Sequence, residues 1–152
     1  MHNNTPWDTF VSELMKPRFA NDRLPNVEYQ VDDAADIPQG AYDTAIFVLG
    51  MHDLYSADPA NGWTAIDRPA FLAAIHASLK PGGVLGIVDH NSAPRSGADA
   101  AQSLHRIDPE LLILDLTAAG FVLDATSDHL ANPDDDHAKS VFDPSLRWKS
   151  EG

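Results

Sequence analysis

The hydrophobic positions change period several times along the chain, and each change marks an element. Phe10, Val11, Leu14 and Met15 share one face of a helix that Thr5 caps, Pro6 opens and Pro17 should end. Asn26 to Val31 alternates apolar with polar, the period of a strand, with Val27–Val31 as its body. The Asp32 to Pro38 stretch is a loop. After Asp43 the chain is continuously apolar to Leu49. Such a run predicts a strand over Tyr42–Leu49, buried on both faces of a parallel sheet. Asp67-Arg68-Pro69 opens a second helix, Asp67–Leu79, with Phe71, Leu72, Ile75 and Leu79 inward. Lys80-Pro81-Gly82-Gly83 stops it, and Val84–Val88 is the next buried strand. A polar stretch, Asn91 to Gln102, intervenes. Asp108 caps a helix over Asp108–Ala119, with Leu112, Leu116 and Ala119 inward and Gly120 as its stop. Phe121–Ala125 is expected to be a further strand. From Asn132 onward the chain is Asp-rich and irregular. Alternating strands and helices define an α/β domain with a mostly parallel sheet.

Composition narrows what such a domain does. The 152 residues suit one domain, residues 1–152. The net charge of −13 repels phosphate backbones and anionic lipid, so neither nucleic acid nor membrane is an expected partner. The absence of cysteine removes disulfides, thiolate metal sites and cysteine nucleophiles. No export signal and no membrane-length apolar run is visible, which points to a cytoplasmic protein handling small molecules or proteins.

Ligands of open α/β sheets bind beyond the carboxyl ends of the strands. Asp32-Asp33, His52-Asp53 and Asp89-His90 all fall there. Each pair also has a plain structural reading: turn formers, a loop cap and a solvated strand end respectively. His105-Arg106 reads equally as an ordinary surface pair. No metal is expected. There is no His-Glu-x-x-His, and Asp134-Asp135-Asp136-His137 lacks the glycine and distal glutamate of a calcium loop, so it reads as a solvated loop. Gly-x-Ser-x-Gly, a Walker lysine loop and Gly-x-Gly-x-x-Gly are all missing.

Tyr42-Asp43 before an apolar strand, and Leu79-Lys80-Pro81-Gly82-Gly83-Val84-Leu85, resemble class I S-adenosylmethionine-dependent methyltransferases, in which a Lys-Pro-Gly-Gly turn precedes the fifth strand. The segments His52-Asp53-Leu54-Tyr55, Val88-Asp89-His90 and Leu104-His105-Arg106-Ile107-Asp108 resemble a branch of predicted bacterial methyltransferases. The likeness spans about Trp7 to Arg147. It implies a partial Rossmann-like sheet lacking the family's first two strands and its last one, together with the Gly-rich loop that meets the methionine part of the cofactor.

By this resemblance the cofactor is S-adenosylmethionine. Asp32, Asp33 and Ala34 would lie at its adenine, with Asp33 and Ala34 as the contacts. His52 would be the base for the methyl acceptor and Asp53 its orienting partner, while Asp89, His90, His105 and Arg106 would line a small-molecule acceptor pocket. Without the Gly-rich loop, cofactor binding weaker than about 100 μM is expected. The competing reading is a non-enzymatic, methyltransferase-derived module that binds itself, a small molecule or a partner protein. A third is one fragment of a longer enzyme. Either way the orphaned apolar edge of Tyr42–Leu49 calls for repair. A homodimer, or Val27–Val31 moved in beside it, would supply that.

Overall fold

The computed structural model describes residues 2–3 and 5–146, with side chains from residue 12 onward. The chain is mixed α/β with parallel strand pairing. Its elements are β1 (His2–Asn3), α1 (Thr5–Phe19), β2 (Gln30–Val31), β3 (Tyr42–Val48), α2 (Arg68–Ser78), β4 (Leu79–Val88), α3 (Asp99–Leu104) and α4 (Pro109–Ala118). β3 and β4 form one parallel pair and β1 and β2 another.

The β3–α2–β4 unit is the frame. Asp67 accepts a hydrogen bond from the Ala70 N–H, and a proline occupies the first turn of α2, so the helix starts where capping chemistry dictates. Across the sheet, Tyr42 pairs with Leu79, but Thr44 already pairs with Val84. The extra residues, Lys80 to Gly83, bulge out of the ladder instead of simply ending a helix. Gly82 adopts φ +79, and a Cβ on Gly83 would sit 2.9 Å from the Lys80 carbonyl oxygen, so the bulge needs both glycines. Lys80 then grips both carboxylate oxygens of Asp43 at 2.8 and 2.9 Å, across the mouth of the excursion.

One face of this pair is covered. Phe47, Leu85 and Ile87 pack on a core of Met51, Leu54, Leu72, Ile107 and Leu112, joined by Phe71, Leu116 and Ala119. Asp108 caps α4 through the Glu110 N–H. The opposite face is bare: Ile46 is 71% exposed, Val48 60% and Val84 59%. The expectation that Tyr42–Leu49 is buried on both faces is therefore corrected to one.

Other expectations also change. Pro17 lies inside α1, which runs on to Phe19. Leu14, placed on the apolar face of the first helix, is 69% exposed, and the Phe19 ring meets Tyr29 at 5.4 Å. The side chains of Thr5, Pro6, Phe10 and Val11 lie outside those described. Val27–Val31 contracts to Gln30–Val31 and pairs with His2–Asn3, not with β3. Phe121–Ala125 is not a strand. Val122 is 89% exposed, because no described strand lies beside this segment to take its backbone bonds. The polar Asn91 to Gln102 stretch contains the start of α3.

Candidate functional site

The carboxyl ends of two adjacent parallel strands must deliver their next residues to the same place. Beyond β3 the chain turns into a 3₁₀ segment, His52–Tyr55, whose His52 and Leu54 are buried. Beyond β4 comes Asp89. His52 Nδ1 lies 2.8 Å from Asp89 Oδ1, and the backbone N–H of His52 donates to Asp89 Oδ2 at 3.0 Å. The His90 N–H donates to Oδ1 at 2.8 Å. Three donors thus converge on one buried carboxylate.

Their effect outweighs desolvation. Burial pushes the Asp89 carboxyl up, but the His52 hydrogen bond and charge and the two backbone N–H groups pull it below its ordinary value of 3.8. Asp89 is therefore ionised and can only accept, so His52 Nδ1 donates, and in the neutral ring Nε2 carries the free lone pair. Burial lowers the His52 pKa, yet the Asp89 bond and the charges of Asp89 and Asp53 leave it above 6.5. Asp53 Oδ1 lies 3.5 Å from His52 Nε2, on the ring's other side. Burial raises the Asp53 pKa, partly countered by His52 and His105. Asp53 was expected to orient His52; the carboxylate hydrogen-bonded to His52 Nδ1 is that of Asp89.

His105 reaches this cluster from far along the chain. The Ile107 N–H donates to the His90 carbonyl at 2.8 Å, and the Ser92 N–H donates to the Ile107 carbonyl at 2.9 Å, a parallel bridge that extends the end of β4. That bridge sets His105, at the C-cap of α3 with φ +53, edge-on to His52 at 5.5 Å between ring centroids. Phe142 closes over His105 at 4.9 Å. Candidate ligating atoms of His52, Asp53 and His105 all lie within 4.8 Å of one another. His90, half-buried beside them, has its pKa lowered by burial and by the charges of Arg106 and His52, against Asp89 and Asp135.

Arg106 is not a pocket-lining residue. It is 1% exposed, with its guanidinium bidentate on Asp135 at 2.8 and 2.9 Å. It also donates to the carbonyls of Asn91 and Lys139. Asp135 is accordingly an anchor within the Asp-rich loop read as merely solvated. Its pKa falls because the Arg106 bond and charge and the His137 N–H exceed the effect of burial.

Asp32, Asp33 and Ala34 lie elsewhere, at a short 3₁₀ turn, Ala34–Asp36, that packs on α2. Asp33 is exposed and makes no capping bond in that turn.

The Asp89–His52 pair makes stability depend on pH. His52, with its folded pKa above 6.5, adds stability that is complete below that value and lost as pH rises through the folded pKa. Asp89, with its folded pKa below 3.8, adds stability present above that value and lost as pH falls through the folded pKa. Both contributions are complete between 3.8 and 6.5. Asp89→Asn should therefore cost about 1.5–3 kcal/mol inside that window and less in alkali, as urea unfolding at pH 5.5 and pH 9 would measure.

No protein-family model matches the chain, and no curated protein is significantly similar to it. No described helix is long and apolar enough to cross a membrane.

Proposed function

We propose that the chain is a methyltransferase-type α/β unit of Rossmann-like ancestry, in which His52 accepts a proton from the methyl acceptor and Asp89 holds its ring. The observation that carries this reading is the 2.8 Å contact between His52 Nδ1 and Asp89 Oδ1 at the carboxyl ends of β3 and β4. A carboxylate on Nδ1 fixes the tautomer and leaves Nε2 to take the proton. With a pKa above 6.5 the ring is a useful base near neutrality. The acceptor is a small molecule with an ionisable O–H or N–H, approaching Nε2 between Asp53 and His105. Bound S-adenosylmethionine would supply the activated methyl group.

The described residues fit only one end of that cofactor. Asp33, with a carboxylate not used in capping, and Ala34, at the start of the 3₁₀ turn, suit the adenine. Nothing comparable among the described residues suits its methionine end. Binding is expected to be weaker than about 100 μM, since the described residues offer no set of charge-assisted bonds, of about 1.5–3 kcal/mol each, for that end. Titration of S-adenosylhomocysteine, followed by calorimetry and by backbone amide shifts, tests this. The reading expects shifts at Asp33 and Ala34 at millimolar ligand. No shift at any concentration would remove the methyltransferase reading. A micromolar isotherm would contradict the expected weakness and establish a full cofactor site.

A second reading, a self-associating module without catalysis, is favoured by the bare face of Ile46, Val48, Val84 and Val88 and the β3 edge, which has no strand partner among the described residues. A homodimer through this face is compatible with either reading, because the base site lies at the strand ends.

A further inference from the structure

We propose that His52, Asp53 and His105 form a binding site for one divalent transition-metal ion of the zinc type. Two imidazoles and a carboxylate are donors such an ion prefers, and three protein ligands leave a position open for water or substrate. Tetrahedral bonds of about 2.0–2.2 Å place neighbouring donors about 3.3–3.6 Å apart. His52 Nε2 and Asp53 Oδ1 are already 3.5 Å apart, and the complete donor set spans no more than 4.8 Å. Small side-chain rotations of His105 and Asp53 close the remainder.

The second observation is independent of that spacing. His52 is not a loose ring that happens to face an acid: its Nδ1 donates to Asp89, a carboxylate held in turn by two backbone N–H groups. A carboxylate behind the distal nitrogen of a ligating histidine fixes the tautomer, aims Nε2 and raises its basicity. His105 reaches the cluster from the end of α3, with its backbone at φ +53 and its ring against Phe142. Among the described residues, no other group of three or more potential ligands comes this close together.

This site does not depend on the methyl-transfer reading. An ion on Nε2 takes the lone pair that would otherwise receive a proton. The loaded chain would instead activate a water or substrate oxygen by direct coordination.

Cobalt(II) is the probe, added to chelator-treated full-length chain at pH 7.5, with zinc competition followed by calorimetry. The expected result is visible ligand-field absorption of a low-coordinate cobalt site, displaced by one equivalent of zinc. His105→Gly relieves the left-handed backbone and should abolish the signal. Asp89→Asn should weaken binding by about 10–100-fold, because it removes only the orienting group. His129→Ala, at an exposed histidine remote in sequence from the ligands, should leave it unchanged. In the unmodified chain, zinc should shift the ring resonances of His52 and His105 together, which requires no variant to fold. Binding only at millimolar metal, binding indifferent to His105→Gly, or ring shifts confined to other histidines would each overturn the proposal.

Discussion

Replacing Arg106 with alanine is expected to lower the unfolding free energy by about 3–5 kcal/mol, the usual cost of removing one member of a buried ion pair. The guanidinium is almost wholly enclosed and ties three segments together: the Asn91 carbonyl after β4, the Lys139 carbonyl in the C-terminal loop, and Asp135. Its loss strands the Asp135 carboxylate and empties the volume of a side chain that is 1% exposed. Against a typical stability of about 5–15 kcal/mol this removes much of the fold. Arg106→Lys should recover little, because an ammonium cannot make the paired bonds at 2.8 and 2.9 Å. Arg106→Ala combined with Asp135→Ala should be less damaging than Arg106→Ala alone, since no charge is then left unpaired. Urea unfolding midpoints of the four proteins decide it. An Arg106→Ala midpoint equal to that of the unmodified chain would mean the anchor is not energetically engaged.

The unmodified chain is expected to sediment as a dimer at low micromolar concentration, and Ile46→Lys with Val48→Lys to sediment as a monomer. Ile46, Val48 and Val84 stand on the sheet face that no described helix covers, and Leu49 follows beside them. A contiguous apolar strip next to an open strand edge invites pairing with a second copy. A closed two-fold contact is the commonest arrangement that satisfies both copies. Two lysines would place charge in that contact and on the edge, the device by which natural sheets discourage pairing. Their effect should fall on association rather than folding, because both positions already face solvent in the single chain. A monomeric unmodified chain would leave the strip unexplained and remove the dimer from the account.

The elements legible in the sequence were those whose own residues carry their boundaries. Ala45 to Val48 in β3 and Val84 to Val88 in β4 are apolar runs, while α2 and α4 open with Asp67 and Asp108 caps that do bond the first turn. Phe121–Ala125 had the right composition and failed, because a strand is defined by a neighbour and Val122 has none beside it among the described residues. The strand-end histidine was also legible, but its partner was not. Asp53 is adjacent in sequence, whereas Asp89 is adjacent only once β3 and β4 pair in register. His105 entered the cluster for a similar reason, through the bridge between Asn91 and Ile107 that no periodicity announces. The one available signal for Arg106 was charge: a lone cation beside an apolar isoleucine, in a chain whose later loop holds three consecutive aspartates.

The proposed base requires His52 to be held by Asp89 with Nε2 free in the neutral ring. Long-range proton–nitrogen correlation of the histidine rings, recorded against pH on chelator-treated protein, tests this most directly. The predicted result is a neutral His52 protonated on Nδ1, titrating above 6.5, whose pKa falls in Asp89→Asn. A His52 protonated on Nε2, or one whose titration is indifferent to Asp89→Asn, would contradict it.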